Sequence, residues 1–344
     1  MKLLLVSVKS EVSRGGIAVW TDRYLSRCGE HGIDCVLVNT EIVGKRAQQA
    51  TAKRNIVDEF VRTRRIFKDL EGALKTNFDA AHLNTSCGTF GLFRDYFIAR
   101  KIKKKGIPLV THYHCDIPYW IHNPVSRAVL GKLAKFSDRN LVLCENSRRY
   151  LEEQFGVESV KVPNFIEESV VRIEPKDIQE SPKRVFFVGR VEEAKGAAEM
   201  YALAKRFPAL IFELVGEVSD AVAAWDQPEN VLLPGGQPHD QVIEALDRAD
   251  LFLFPSHSEG FSVALMEAMA RGVPALATDV GANGDMLADG CGIVVAKGDV
   301  DAMEQAILEM QDADVRESMS RKAMEKVRTR YTTDAVLTLI KSMY

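Results

Sequence analysis

Short runs of Val, Leu, Ile and Phe alternate along the chain with longer stretches whose apolar residues recur every three to four positions. Runs of that length fit strands buried on both faces of a parallel sheet, and the longer stretches fit the helices connecting them. In the first half the predicted strands are residues 3–8, 35–39, 80–84, 108–112 and 139–144. The pattern restarts with 184–188, 211–215, 231–233, 251–254, 274–277 and 293–295. The chain therefore reads as α/β, with two doubly wound sheets. After Arg54, residues Ile56, Phe60, Phe67, Leu70 and Leu74 fall near one helical face and are expected in the core. Residues 162–168, followed by the polar stretch 174–183 with Pro175 and Pro182, read as a linker. The expected domains are 1–165 and 166–325, with a C-terminal helix in 326–344 that crosses back to the first.

Composition changes this picture little. A chain of 344 residues is long enough for two domains, and 46% apolar with 27% charged residues is ordinary for a soluble globular protein. No apolar run approaches the roughly 20 residues of a membrane span, and the run opening at Met1 is too short for a signal-peptide core. A cytoplasmic location is the expectation. The six cysteines are scattered without a C-x-x-C pair, which fits reduced thiols. Charge is more informative. Residues 1–165 carry 27 Lys and Arg against 17 Asp and Glu, the remainder 18 against 31, so a net −3 hides +10 and −13. Part of the excess lies in Arg62, Arg64, Arg65 and Lys68, and part in Arg100, Lys101, Lys103, Lys104 and Lys105. These are either solvated helix faces or an attraction to an anionic membrane surface or acidic acceptor, which would make the protein peripheral at the inner face of the membrane. No nucleic-acid partner is expected.

Ligands of doubly wound sheets bind at the carboxyl ends of strands. The richest such loop runs from Pro255 to Pro274. Ser262 reads as the N-cap of a helix over 263–271, which Gly272 and Pro274 stop. The free amides at that helix start, near Gly260, Phe261, Ser262 and Val263, suit a phosphate. Glu267 lies one turn deeper, where a carboxylate could take ribose hydroxyls, and Glu259 sits on the loop before the helix. Together they offer the parts that hold a nucleotide sugar. The run P-S-x-x-E-G-F-x-x-x-x-x-E-A-M-A-x-G-x-P resembles the E-x7-E signature of the retaining glycosyltransferases of family GT4, with Glu259 and Glu267 as its glutamates. A later loop, Thr278 to Asp285, is similar to that family's strand-end loop, with Ala282 and Asp285 where Gly and Glu are frequent.

The resemblance implies two cationic partners in G-R-x-x-x-x-K-G, which stands here from Gly189 to Gly196. Arg190 would fork onto a diphosphate and Lys195 would follow as a point charge, so that no metal and no cofactor are needed. Gly216 and Glu217 end the next strand, where this family commonly holds the base. In the first half, Gly15 and Gly16 follow the first strand and allow close backbone approach to a ligand, or only a turn; their spacing is not the G-x-G-x-x-G of a dinucleotide fold. His112, His114 and Asp116 alternate at a strand end and could share one face, which leaves a metal reading open. By resemblance, His114 takes the position whose imidazole lies near the donor sugar. Asp116, Tyr119 and Trp120 are candidate acceptor contacts, and Tyr119, Trp120 and His122 fit stacking on a sugar or covering the sheet edge equally.

The resemblance further implies the GT-B fold, two Rossmann-like domains facing a central cleft, and a retaining transfer from a nucleoside diphosphate sugar, UDP-sugar favoured, to a saccharide or lipid-linked acceptor in polysaccharide or glycolipid synthesis. His114, Arg190, Lys195 and Glu259 would be catalytic, the remaining loop residues donor-binding. An epimerase or phosphorylase on the same fold, or an inactive nucleotide-sugar-binding partner subunit, are the alternatives.

Overall fold

The computed structural model describes residues 1–9, 16–42 and 56–344. The chain divides into two compact units, residues 1–165 with Thr333–Tyr344 and residues Ile166–Thr332. Both are six-stranded parallel sheets with helices on their faces.

In the first unit the strands are β1 (Lys2–Ser7), β2 (Asp34–Asn39), β3 (Ala80–Thr85), β4 (Leu109–Tyr113), β5 (Arg139–Val142) and β6 (Val160–Lys161), in the order β2-β1-β3-β4-β5-β6. The helices are α1 (Gly16–Arg27), α2 (Ile56–Ala73), α3 (Thr89–Lys104), α4 (Ile117–Trp120), α5 (Pro124–Phe136) and α6 (Glu145–Phe155). Period-two alternation sends Leu4, Val6 and Leu83 to one face, against Ile66, Ile98 and Leu130. Leu3, Leu5 and Ala80 go to the other, against Trp20 and Tyr24. Each fully buried Leu or Ile contributes roughly 1.5–3 kcal/mol, which makes β1, covered on both faces, a centre of the fold. The edge strand β6 is absent from the sequence pattern because its two residues are exposed and carry no alternation.

One expectation about α2 fails. Leu70 and Leu74 are buried and Phe67 is half-buried, but Phe60 is 68% exposed. The buried row is Arg62, Ile66 and Leu70, spaced by four, and Phe60 lies away from it. Arg62 is accommodated in that row because its guanidinium donates to the Thr40 carbonyl.

The second unit holds β7 (Arg184–Val188), α7 (Ala197–Arg206), β8 (Ile211–Val215), α8 (Asp220–Ala223), β9 (Val231–Gly235), α9 (His239–Arg248) and β10 (Leu251–Phe254). It continues with α10 (Val263–Ala270), β11 (Ala275–Thr278), α11 (Asn283–Leu287), β12 (Gly292–Val295), α12 (Val300–Glu309) and α13 (Ala313–Arg330). The sheet order β12-β11-β10-β7-β8-β9 reverses direction between β7 and β10. The loops after those two strands therefore diverge and open a crevice at their carboxyl ends, the usual ligand position of such sheets.

The stretch 174–183, read from sequence as part of a linker, is bound into this unit. Lys176 is buried and donates to the Leu246 and Asp247 carbonyls, the latter at 2.6 Å, and fully buried Arg316 of α13 donates to the Gln179 and Glu180 carbonyls. Cations that satisfy backbone carbonyls hold a polar segment that has no apolar pattern to announce its packing. After Thr332 the chain enters the first unit, where the last helix, α14 (Thr333–Lys341), buries Val336, Leu337 and Ile340 with Trp20 and Tyr24. Among the described residues no helix is long and apolar enough to cross a membrane.

Candidate active site

Lys195 and Glu259 meet at the crevice between β7 and β10. The loop after β7 carries Gly189 and Arg190 and ends in a short 3-10 turn, Glu193–Lys195, that leads into α7. Across from it, the loop after β10 reaches the start of α10. The His257 N–H donates to the Ala194 carbonyl at 3.0 Å, tying one loop to the other. Lys195 Nζ then lies 2.6 Å from Glu259 Oε1, and the Ser256 hydroxyl donates to the same oxygen at 2.7 Å. Ser256 is in turn held by Thr278 Oγ1, which donates to its carbonyl. An ammonium and a hydroxyl on one carboxylate oxygen fix the Glu259 side chain.

Arg190 is different. Its guanidinium is 66% exposed and lies 2.8 Å from Glu192 Oε1 of the same loop. Gly189 and Gly216 account for how the loop turns: a Cβ on Gly216, at φ 148°, would sit 1.8 Å from the Gly189 carbonyl oxygen. Only glycine lets the ends of β7 and β8 approach that closely.

The N-terminus of α10 forms as its capping residue dictates. Ser262 accepts from the Leu265 N–H at 3.2 Å, and Gly272, at φ 73°, ends the helix in the left-handed region. Phe261 is buried edge-on against Tyr331, ring centres 5.4 Å apart, and Gly260 accepts from the Ala282 N–H. Val263 opens the helix half-buried. One turn on, Glu267 is buried and its Oε1 lies 2.9 Å from Nε2 of the exposed His239 at the start of α9. A second imidazole-carboxylate pair, His257 Nε2 and Glu199 Oε1 at 2.7 Å, braces the β10 loop against α7.

The first unit offers a contrasting site. His114 follows β4, and its Nε2 lies 3.0 Å from Asn84 Oδ1 at the end of β3. The direction of each hydrogen bond follows from the far end. The Thr21 hydroxyl donates to the Ile17 carbonyl, so it accepts from Ser7; Ser7 accepts from Asn84 Nδ2 at 2.9 Å; Asn84 Oδ1 is left to accept from His114. His114 is therefore the tautomer protonated on Nε2, with its lone pair on Nδ1. Its ring is enclosed by those of Trp20, 5.2 Å away, and His112, 4.0 Å away. Desolvation pushes its pKa down to about 3, and that of buried His82 likewise to about 3, while His112 falls well below the usual imidazole value for the same reason. All three are neutral at pH 7. His82 Nδ1 also meets the Tyr344 hydroxyl at 2.7 Å, which bonds Tyr24.

The structure does not bring His112, His114 and Asp116 together as a ligand set. His112 is buried between His82 and His114, whereas Asp116 precedes α4 and accepts from Cys144 Sγ at 3.7 Å, its carboxyl raised by burial. Among the described residues no three His, Cys, Asp or Glu are grouped to hold a metal ion. Alternation placed them on one strand face, but the chain turns after Tyr113 and redirects the last of them. Tyr119 and Trp120, on α4, are about half exposed with rings edge to face at 5.8 Å. Gly16 opens α1, where an added Cβ would meet nothing within 4 Å among the described residues, and Gly15 lies outside them. Residues not singled out from sequence are Asn84, Glu192, Glu199 and His239. Asn84 lies at the end of β3, Glu192 in the loop after β7, and Glu199 and His239 in the first turns of α7 and α9, so position near the sheet's carboxyl edge was the available signal.

Two family models match the chain nearly end to end, Glycosyltransferase Family 4 over residues 14–170 and Glycosyl transferases group 1 over residues 172–326. A 2-deoxystreptamine N-acetyl-D-glucosaminyltransferase of Niallia circulans is 25% identical over 304 residues, covering 78% of this chain and 77% of that protein. Other curated relatives are matched over a little under two thirds of their own length. Among solved structures, sucrose-phosphate synthase from Thermosynechococcus elongatus superposes with a TM-score of 0.79 at 15% identity, covering all of this chain and 98% of that one. HepE from Anabaena, in complex with UDP and glucose, gives 0.71 at 16% identity, over 100% and 99% of the two chains. At such identities the likeness is one of fold, and that fold is the two-domain GT-B arrangement.

Proposed function

We propose, from the premise that this chain belongs to the GT4 family of glycosyltransferases, that it is a retaining, metal-independent enzyme moving a sugar from a nucleoside diphosphate donor to a saccharide or lipid-linked acceptor. UDP is the favoured nucleotide, a preference supported by the UDP bound in the HepE structure. The observation that carries the reading is the Lys195–Glu259 contact at the crevice of the second unit, beside the capped start of α10.

Each group then has a physical task. The start of α10 and the Arg190 guanidinium bind the diphosphate, and Lys195 offsets the charge that grows on it as the glycosidic bond breaks. Glu267 takes the ribose hydroxyls and Glu259 a sugar hydroxyl. These groups are paired with neighbouring side chains: Lys195 with Glu259, Arg190 with Glu192, Glu267 with His239. Donor binding is an exchange of partners, in which phosphate replaces two carboxylates and ribose replaces an imidazole. Such pairing keeps a buried carboxylate satisfied before the substrate arrives.

Retention follows if the acceptor attacks the face the diphosphate leaves, with the departing phosphate taking the acceptor proton. No protein nucleophile is assigned. His114, neutral and with its tautomer set by Asn84, keeps an Nδ1 lone pair available to a substrate, and Asp116, Tyr119 and Trp120 are assigned to the acceptor. The test is a panel of nucleotide sugars screened by thermal stabilisation, where a ligand at 100 times its dissociation constant adds about 2.7 kcal/mol. A UDP-sugar should stabilise most, and its turnover should survive a strong chelator. Stabilisation by none of the panel sinks the reading, and loss of turnover restored by a divalent ion sinks its metal-independent form.

A further inference from the structure

The basic character of the first half resolves, in the structure, into paired and unpaired cations. Arg62 is buried, Lys101 pairs with Glu71, and Lys103 pairs with Asp138. Among the remaining cations, which include the exposed Arg64 and Lys68 of α2, four are gathered on α3 and α5, which pack side by side. On α3, Phe93, Phe97, Arg100 and Lys104 form one exposed stripe; on α5, Lys132, Lys135 and Phe136 form another. None of these four cations has an ion-pair partner among the described residues. The rings are continuous across the two helices, since Tyr96 lies 5.7 Å from Phe97 and 6.2 Å from Phe136, and the Arg100 guanidinium covers Tyr96 at 5.9 Å. Phe93 is 38%, Phe97 49% and Phe136 36% exposed. Every charged residue of α5 is basic, and the sole acidic residue of α3, Asp95, is buried against Arg94 at 2.7 Å.

We propose that this α3–α5 face is a reversible docking surface for an anionic lipid bilayer. Exposed phenylalanines flanked by lysines, with no exposed carboxylate on either helix, are complementary to such a surface: the rings enter the headgroup region while the cations meet lipid phosphates. A protein partner fits less well, because the cores of protein interfaces are depleted in lysine. The proposal goes beyond the transferase reading and uses none of its site residues.

The experiment is co-sedimentation of the full chain with vesicles of phosphatidylcholine alone and of phosphatidylcholine mixed with phosphatidylglycerol, from low salt to 1 M. Binding should be confined to the anionic vesicles and released as the screening length falls from about 10 Å to about 3 Å. Replacing Arg100, Lys104, Lys132 and Lys135 by Gln should weaken it by about fivefold per charge. F93S/F97S should weaken it about tenfold at low salt, since two exposed rings lose their apolar burial. Equal binding to both vesicle types, no binding at low salt, or an F93S/F97S variant that binds as the wild type would each overturn the proposal. UDP affinity, measured on the same variants, reports folding and the nucleotide site separately. Its absence in every version would count against the transferase reading and leave the vesicle comparison decisive for this one.

Discussion

The carboxyl ends of the two sheets solve different problems. In the second unit, charged side chains stand in pairs that can be exchanged, the exposed Arg190 with Glu192 and the more enclosed Lys195 with Glu259. In the first, His82, His112 and His114 are packed with Trp20 and Tyr24 and held neutral by desolvation. A highly charged ligand such as a diphosphate suits the former, where cations already stand paired with carboxylates and can exchange them for phosphate. The latter has paid its desolvation cost in folding and presents a single, fixed lone pair.

The comparison breaks most readily at the cations. Arg190→Ala and Lys195→Ala should each raise the barrier for transfer by about 2–4 kcal/mol, the cost of removing one contact to a developing negative charge. Thermal midpoints should stay near wild type, because neither side chain contributes to a core. Unchanged turnover in both variants would remove the charged site from the mechanism. A smaller loss is expected for Glu267→Ala, about 1.5–3 kcal/mol in donor affinity as a charged hydrogen bond disappears, measured by titration calorimetry. Wild-type affinity there would remove Glu267 from the donor site.

Acid sharpens the contrast from the other side. His82 has a folded pKa of about 3 against an ordinary 6.5, so below 6.5 the unfolded chain binds a proton that the folded chain refuses. Stability should be level above that pH, fall as pH drops through the window from 6.5 to 3, and level off beneath it. By pH 5 this one group costs roughly 2 kcal/mol. Urea midpoints compared at pH 7 and pH 5 check it. His82→Gln, which cannot take up a proton, should show a shallower decline. An identical slope would show that the imidazole cluster does not govern acid sensitivity.

Much of this architecture is legible in the chain itself, and the reasons are physical. Strands buried on both faces must be apolar throughout, so β1, β7 and β10 stand out, and Ser262 with Gly272 marks the ends of α10 because caps and stops are local chemistry. The loop-and-helix spacing marks Glu259 and Glu267 as candidates, and Lys195 is a candidate through the family resemblance alone. Partnerships across the fold were not visible. Nothing in the local sequence says that His239 meets Glu267, or that Asn84 sets the tautomer of His114, since those pairs are separated by 28 and 30 residues and joined only by the strand order. Phe60 misled for a related reason: periodicity identifies a stripe, but which stripe faces the sheet is decided by the helix's rotation, and Arg62 took the buried side.

The central claim is that donor phosphate replaces Glu259 as the partner of Lys195. UDP, which carries the diphosphate but no sugar, separates the two roles of that glutamate. Calorimetric titration of UDP into wild type, Lys195→Ala and Glu259→Gln is the most direct measurement. Lys195→Ala should bind UDP at least about tenfold more weakly, the lower range for a charge-assisted contact. Glu259→Gln should bind it several-fold more tightly, roughly 1 kcal/mol, because the competing carboxylate is gone. Weaker UDP binding by Glu259→Gln, or unchanged binding in both variants, would contradict the account.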